Sequence, residues 1–434
     1  MWGLASAQTR RAIANCIPIM SQPQLSSSAA QPEPSGMSRA EVRASASLAA
    51  IFALRMLGLF LILPVFAVYA HGLPGGDNAF LVGLAMGIYG LAQSLGQIPF
   101  GMASDKYGRK RIIVIGLALF AVGSFAAAAA DSVVWVAVGR AIQGAGAISA
   151  AITAFIADST REEHRTKAMA MVGASIGLTF AVSLVAAPVL FKHIGMGGIF
   201  SLTGVLSLLA IAAVIWMVPA APMARARRVP LGEVLRHGEL MRLNAGVFTL
   251  HMSQLAMFVV LPGALVQYSG IAVDEHWKIY LPVVLASFVL MLPPVFVAER
   301  HGRMKQVFVA SIALLLLVQV GFWAALSHPV THWSVLVGLL FLFFVAFNIL
   351  EASQPSLVSR IAPPEAKGTA LGVYNTLQAL GLFCGGALGG WLKQNVGTSS
   401  VFVLSGLVTL SWLIIAANMK NLPRRGARAA GVTA

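Results

Sequence analysis

Long apolar segments separated by short polar turns run along almost the whole chain. Each is close to the roughly 20 residues that an α-helix needs to cross a bilayer. They lie at about residues 45–70, 79–101, 111–130, 132–157, 166–191, 197–219, 240–268, 276–298, 305–326, 332–359, 367–392 and 400–419. The pattern predicts an all-α membrane protein with twelve transmembrane helices.

A segment rich in proline and arginine divides the twelve predicted helices into two sets of six. The spacing acid-x-x-Gly-Arg also repeats, from Asp105 to Arg109 after the second helix and from Glu299 to Arg303 after the eighth. We predict a disordered cytoplasmic extension over 1–40, a bundle over 41–219, a linker over 220–239, a second bundle over 240–420 and a basic tail over 421–434. Two such bundles around a central axis are a transporter architecture, with the substrate between them near the midplane.

Composition supports a membrane protein and argues against several other classes. The 434 residues are 58% hydrophobic and 10% charged, whereas soluble proteins carry about 25% charged residues. The net charge of +15 comes from basic residues in short clusters rather than one patch, so no nucleic-acid partner is predicted. The two cysteines, Cys16 and Cys384, are too far apart to suggest a metal site. We predict no cofactor, no enzymatic activity and no ATP-driven pump, because neither a catalytic constellation nor a phosphate-binding loop occurs.

The basic residues are distributed unequally between the two sets of loops. Runs of Lys and Arg occur at 106–111, 161–167, 225–242, 300–305 and 420–428, and Arg360 and Lys367 flank a sixth loop of the same set. The opposite loops carry only Lys192, Lys278 and Lys393. Because short basic loops stay in the cytoplasm, both termini are predicted to be cytoplasmic.

Two motifs resemble those of a known family. The turn from Gly101 to Arg111 resembles the loop signature of the major facilitator superfamily, and Arg140-x-x-Gln143-Gly144 resembles a motif of its drug/proton antiporter branch. The segments 54–58 and 347–352 look more narrowly like YajR-type bacterial efflux transporters. Of the fifth-helix motif of that branch, only Pro188 is intact.

The turn after the second helix is a candidate gate. Its glycines allow a tight turn and close backbone approach, and the family resemblance implies that Asp105 faces the start of the eleventh helix, near Lys367. Arg109 is within plausible reach of Asp158. The hypothesis is that these residues close the cytoplasmic side in the outward-facing state; the alternative is that the charges only set topology. The predicted gating residues are Gly101, Asp105, Gly108, Arg109, Lys110 and Asp158.

Four ionisable residues within the predicted helices are candidates for proton coupling, since charges inside a membrane span are costly. Glu351 could bind and release protons as access alternates, or form a static ion pair. His251 is a second titratable group, although a lone histidine can be merely hydrogen bonded. Arg55 could contact the substrate or a proton-coupled carboxylate, or extend its guanidinium to the cytoplasm. For Arg140 the resemblance implies proton coupling, and a structural role is the alternative.

A mostly apolar cavity with a few polar groups is expected between the halves, which suits lipophilic compounds better than sugars. Its predicted polar residues are Tyr89, Gln93, Gln97, Gln143, Gln254, Asn348, Tyr374, Asn375 and Gln378. The sequence therefore predicts proton-coupled efflux of lipophilic or amphiphilic compounds, such as drugs, by a monomer in the bacterial inner membrane. The predicted partners are lipid, a small-molecule substrate and protons. An importer or exporter of a small metabolite, including a uniporter, is the alternative.

Overall fold

The apolar segments fold into α-helices, the conformation that satisfies every backbone N–H and C=O group in the absence of water. The computed structural model of the chain describes residues 36–218, 231–328, 332–363 and 366–420. These residues contain helices and short turns but no strand. From Arg39 onward they belong to one compact unit. Most of the predicted N-terminal extension, part of the linker and the basic tail lie outside the described residues.

Fourteen α-helices occur in these ranges. They are α1 (Arg39–Phe60), α2 (Phe66–Tyr69), α3 (Ala79–Tyr107), α4 (Arg109–Ala128), α5 (Val133–Ala145), α6 (Ser149–Ser159), α7 (Glu162–Trp216), α8 (Leu231–Arg236), α9 (Gly238–Ser269), α10 (Trp277–His301), α11 (Met304–Ser327), α12 (Trp333–Ile361), α13 (Lys367–Asn395) and α14 (Ser400–Ala417).

Twelve membrane crossings follow from these helices within the described ranges. The helix α7 provides two, because Gly195 interrupts it with φ 64° and ψ −176°. The helices α5 and α6 together provide one. By length and composition alone, ten described segments are apolar enough to cross a membrane, with the two crossings of α7 counted together. The helix α13 is not among those ten, since glycines and polar residues lower its hydropathy. The predicted all-α fold is confirmed.

Two predicted helices are broken in the structure. The first ends at Phe60, and residues 61–65 form a tighter turn with hydrogen bonds such as Leu63 N to Phe60 O at 3.2 Å. Pro64 lies in this turn and has no N–H to donate to a continuing helix. The fourth is interrupted at 146–148, between α5 and α6. At Gly146 a β-carbon would lie 2.2 Å from the Gly116 carbonyl oxygen, so the break lets α4 approach closely.

The helices α3 and α13 cross the centre of the protein in direct backbone contact. A β-carbon at Gly83 would lie 2.1 Å from the Gly386 oxygen, and one at Gly90 would lie 2.3 Å from the Ala379 oxygen. At the start of α3 the Ala79 N–H donates to Gln394 Oε1 at 2.7 Å. Glycine at these positions is what lets the two backbones come so close. The predicted halves therefore meet tightly at this end, which we call the Ala79 end.

Contacts at the other end of the same helices are looser. A β-carbon at Gly368 or Gly372, in the first two turns of α13, would meet no atom within 4 Å. The turn from Gly101 to Arg111 lies at this end, between α3 and α4. The structure is thus closed at the Ala79 end and has room around the start of α13.

Candidate functional site

The predicted gating residues form a charged cluster between α3, α4 and α6. Gly108 joins α3 to α4 with φ 99°, a conformation that favours glycine. Arg109 Nε lies 2.9 Å from Asp158 Oδ2, and its Nη1 donates to Ser104 Oγ at 2.7 Å. Arg109 also pairs with Asp105. Arg109 and the two carboxylates are thus together, whereas Gly101 packs near Ala150 and Lys110 is partly exposed. Their role in gating stays a prediction, as does the contact of Asp105 with α13.

Sequence reasoning missed a second ion pair at the start of the bundle. Glu41 at the beginning of α1 is buried, and its Oε1 accepts from the Arg161 backbone N–H at 2.8 Å and from Arg161 Nε at 3.2 Å. The pair joins α1 to the residue that precedes α7. A carboxylate in the first turn of a helix is common in any sequence, so nothing marked Glu41 in advance.

Arg55, Tyr89 and Arg140 come together inside the first six helices, and we call them the arginine cluster. The guanidinium carbons of Arg55 and Arg140 lie 5.6 Å and 4.8 Å from the centre of the same Tyr89 ring. Arg55 and Arg140 are 2% and 1% exposed, so Arg55 does not reach the cytoplasm. A cation over an aromatic face is attracted to it, but this attraction offsets only part of the cost of burial.

The hydrogen bonds of the two arginines go to neutral acceptors. Arg55 Nη1 donates to Ser149 Oγ at 3.0 Å. Arg140 Nη1 donates to Gln143 Oε1 at 3.0 Å, and Arg140 Nη2 to the Met86 carbonyl at 3.3 Å. In the described part of the chain, no carboxylate lies within ion-pair distance of either guanidinium. Within these described ranges, both positive charges are therefore buried without a negative partner.

Gln143 belongs to a network inside the first half. Its Nε2 donates to Ser124 Oγ at 2.7 Å, and Thr203 Oγ1 donates to the same oxygen at 3.3 Å. The network ties α4, α5 and α7 to Arg140. Gln143 uses both of its polar groups here and does not line the central cavity described below.

His251, Glu351 and Gln378 meet across three helices of the second half, and we call them the acid–base cluster. His251 Nε2 lies 3.5 Å from Glu351 Oε2 and 2.7 Å from Gln378 Nε2. On the other side of the ring, His251 Nδ1 lies 3.0 Å from the Val247 carbonyl oxygen. These distances place α9, α12 and α13 around one imidazole ring.

The geometry of this ring limits how His251 and Glu351 can face each other. A carbonyl oxygen can only accept, so Nδ1 carries a hydrogen. Nε2 of a neutral ring is then an acceptor, and it would face an ionised carboxylate that is also an acceptor. The contact is attractive only when a proton lies on Nε2 or on Glu351. The Gln378 amide suits both states, because it can donate to a bare Nε2 or, turned over, accept from a protonated one.

A small central cavity borders the acid–base cluster. Its volume is about 10 Å³, room for a single water molecule. It is lined by Met56, Leu59, Phe60, Gln93, His251, Gln378, Ala379 and Leu382. Gln93 lies one helical turn from Tyr89 on α3, so the cavity borders the α3 face that carries Tyr89. Of the predicted cavity residues, Gln93 and Gln378 line it, together with the proton-coupling candidate His251.

The remaining predicted cavity residues are distributed through the core. Asn348 Nδ2 donates to Ser287 Oγ at 3.1 Å, and Asn375 is partly exposed. Within the part of the chain that the structure describes, the side-chain atoms of Gln97 and Gln254 and the hydroxyl of Tyr374 are buried without a hydrogen-bond partner. Their contact with a substrate stays a prediction.

Aromatic rings that the sequence analysis did not single out contact one another beside the acid–base cluster. Phe180 of α7 lies 5.1 Å from Phe60, 5.8 Å from Phe344 and 5.5 Å from Phe347, measured between ring centres. The Phe347 ring is 5.8 Å from His251. The rings join the first six helices to the second six. A single sequence gives no signal for this, because phenylalanine occurs throughout membrane helices.

Comparison with known proteins defines the class of protein. The family model of the Major Facilitator Superfamily matches residues 48–296 and 243–431. The chain therefore belongs to the major facilitator superfamily, and it is a membrane transporter rather than an enzyme.

Individual relatives agree with this assignment. The chain is 42% identical to the inner membrane transport protein YajR of Escherichia coli strain K12, over 89% of this chain and 85% of that protein. This confirms the predicted YajR-type resemblance. It is 26% identical to the multidrug resistance protein MdtH of Yersinia enterocolitica, over 85% of this chain and 92% of that protein. A crystal structure of a bacterial homologue of the human lysosomal transporter Spinster shares the fold, with a TM-score of 0.67 at 14% identity over 88% of this chain and 97% of that one.

Proposed function

We propose that this transporter is a proton-coupled exporter of lipophilic or amphiphilic compounds. In this proposal a monomer lies in the bacterial inner membrane with both termini in the cytoplasm, and its two six-helix halves rock around the central cavity. Inward proton movement drives export, each proton gaining roughly 2.3 kcal/mol per 100 mV of membrane potential. The name of the relative MdtH, a multidrug resistance protein, supports this substrate class.

The observation that carries the proposal is the contact of His251 with Glu351 and Gln378. In this proposal a proton on His251 Nε2 or on Glu351 makes the contact between Nε2 and Glu351 Oε2, 3.5 Å apart, attractive, and so stabilises the arrangement of α9, α12 and α13. Loss of that proton leaves two acceptors facing each other, which favours separation of α12 from α9. Protonation is in this way tied to helix packing beside the cavity, as proton coupling requires.

The two ends of α3 supply the gates in this proposal. Glycine contacts with α13 close the Ala79 end in the present structure. With the termini in the cytoplasm this is the outer end. When the halves rock, the turn with Asp105 and Arg109 approaches the start of α13 and closes the cytoplasmic end. The ion pair of Arg109 with Asp158 keeps that turn in shape during the movement.

The proposal is tested by flux through purified protein in proteoliposomes with an imposed pH gradient. The compounds are a panel of lipophilic cations, anions and neutral molecules, added one at a time. We expect the wild type to move at least one of them against its gradient, and Glu351→Gln to move it only down its gradient.

Asp77→Asn is the matched control, because Asp77 is exposed and lies between α2 and α3. It removes a carboxylate as Glu351→Gln does and is expected to retain wild-type flux. If every compound that the wild type moves is indifferent to the pH gradient, the proposal is wrong and facilitated transport replaces it.

A further inference from the structure

The arginine cluster contains an electrostatic imbalance that the proton mechanism does not use. Arg55 and Arg140 are both buried, and in the described ranges neither guanidinium has a carboxylate partner. Arginine stays protonated in proteins, so neither residue can release its proton during a transport cycle. Glu351 pairs with His251 and not with either arginine. A ligand with a negative group could therefore supply the charge that pairs with these two arginines.

Unused hydrogen-bond donors accompany the two charges. Among the residues that the structure describes, four buried atoms have no hydrogen-bond partner: Arg55 Nε, Arg55 Nη2, Arg140 Nε and the Tyr89 hydroxyl. A guanidinium presents its donors in a planar fork that matches the two oxygens of a carboxylate, sulfonate or phosphate. The guanidinium carbons of Arg55 and Arg140 lie 5.6 Å and 4.8 Å from the centre of the same Tyr89 ring, so these donors surround one side chain. Such positively charged donors attract an oxyanion and repel a cation.

The small central cavity borders the α3 face that carries Tyr89. Gln93 lines the cavity and is one turn from Tyr89 on α3, and Met56 of α1 lines it as well. Its other walls near α1 are the apolar side chains of Leu59, Phe60 and Leu382. A molecule with its charged group at the arginines would therefore place an apolar body against these walls.

From this we infer that the transported compounds are amphiphilic organic anions, whose carboxylate, sulfonate or phosphate is bound by Arg55, Arg140 and the Tyr89 hydroxyl. The inference rests on the proposed transport of amphiphilic compounds and specifies their charge. The cavity must widen to admit such a compound, which the rocking of the two halves provides.

The test is binding of matched probes to purified protein in detergent, without any gradient. The probes are tritiated 4-phenylbutyrate, 4-phenylbutane-1-sulfonate, 4-phenylbutyramide and 4-phenylbutylamine, which share an apolar body and differ in charge. We expect the carboxylate and the sulfonate to bind the wild type at least tenfold more tightly than the amide or the amine. A wild type that binds the amine as tightly as the carboxylate overturns the inference.

Variants locate the site. Arg55→Gln and Arg140→Gln are each expected to weaken carboxylate binding at least tenfold, to the level of the amide, and Tyr89→Phe to weaken it several-fold. Arg43→Gln removes an exposed charge from the same helix as Arg55 and is expected to leave binding unchanged. Wild-type carboxylate affinity in both Arg55→Gln and Arg140→Gln overturns the inference. If neither variant folds, Tyr89→Phe and the wild-type probe series decide.

This experiment separates the inference from the proposed proton coupling. Glu351→Gln is expected to keep the preference for the carboxylate over the amide and the amine, because the acid–base cluster does not hold the anion. Selective anion binding together with flux that ignores the pH gradient would contradict the proposed coupling and leave the anion site in place. If the pH gradient drives flux of the amine and of no anion, the proposed coupling stands and the anion site is contradicted.

Discussion

The arginine cluster and the acid–base cluster are both buried polar groups at the centre of the transporter, but their chemistry differs. In the acid–base cluster a histidine faces a carboxylate at 3.5 Å, and one proton decides whether they attract. In the arginine cluster two permanent charges contact one tyrosine ring and, among the described residues, donate to neutral acceptors. One cluster can change its charge during a cycle and the other cannot. This difference suggests that proton binding and substrate binding are assigned to different halves.

The largest effect on substrate binding is expected from a substitution that places a carboxylate beside the arginine cluster. Ser149 Oγ accepts from Arg55 Nη1 at 3.0 Å, so Ser149→Asp places a negative charge beside Arg55, in the first turn of α6 where it is also favoured by the helix dipole. We expect a higher thermal unfolding temperature and at least tenfold weaker binding of 4-phenylbutyrate, a loss of about 1.4 kcal/mol or more. Unfolding and probe binding are measured on the same preparations.

Ser149→Asn is the control for this change, since it has nearly the same size and no charge. It is expected to retain most of the wild-type affinity. Equal loss of binding in both variants would show that side-chain shape rather than charge weakens binding. That result would contradict the assignment of substrate binding to the arginine cluster.

A smaller effect is expected from removing the ring of the acid–base cluster while keeping hydrogen bonds. His251→Gln can still bond to Gln378 but cannot take up a proton. Glu351 remains, so we expect gradient-driven flux to fall roughly threefold to tenfold rather than vanish. Probe binding without a gradient should stay at the wild-type level. A parallel loss of probe binding would mean that His251 contacts the substrate instead.

The helices could be predicted from the sequence, but most contacts between helices could not. Apolar segments of about 20 residues predict twelve helices because the bilayer sets that length. Pro64 and Gly146 are visible in the sequence, but whether they break a helix depends on neighbours such as Gly116. A membrane-embedded Glu351 stands out as costly, yet its partner on another helix can be identified only from the fold. The neighbours of Phe180 could not be predicted at all, because aromatic contacts carry no spacing rule.

The smallest effect is expected outside both clusters, at the gating turn. Asp105→Asn removes one charge that pairs with Arg109, while Asp158 and Ser104 keep their contacts with that arginine. Since partly exposed ion pairs contribute little to stability, insertion and unfolding temperature should not change, and flux should fall roughly twofold to fivefold. Asp131→Asn, in an exposed loop, is the control. Normal flux in Asp105→Asn would refute a gating role for this residue.

Proton exchange on binding tests the account most directly. Purified wild type in weakly buffered detergent solution is mixed with 4-phenylbutyrate, and the change in solution pH is recorded. Coulomb attraction alone would draw a proton onto the protein with the anion. Exchange of substrate for protons requires the reverse, and His251 and Gln378 line the cavity that the compound must enter. We therefore predict proton release by the wild type and none by Glu351→Gln. Proton uptake, or equal release by both proteins, would contradict proton-driven export through Glu351.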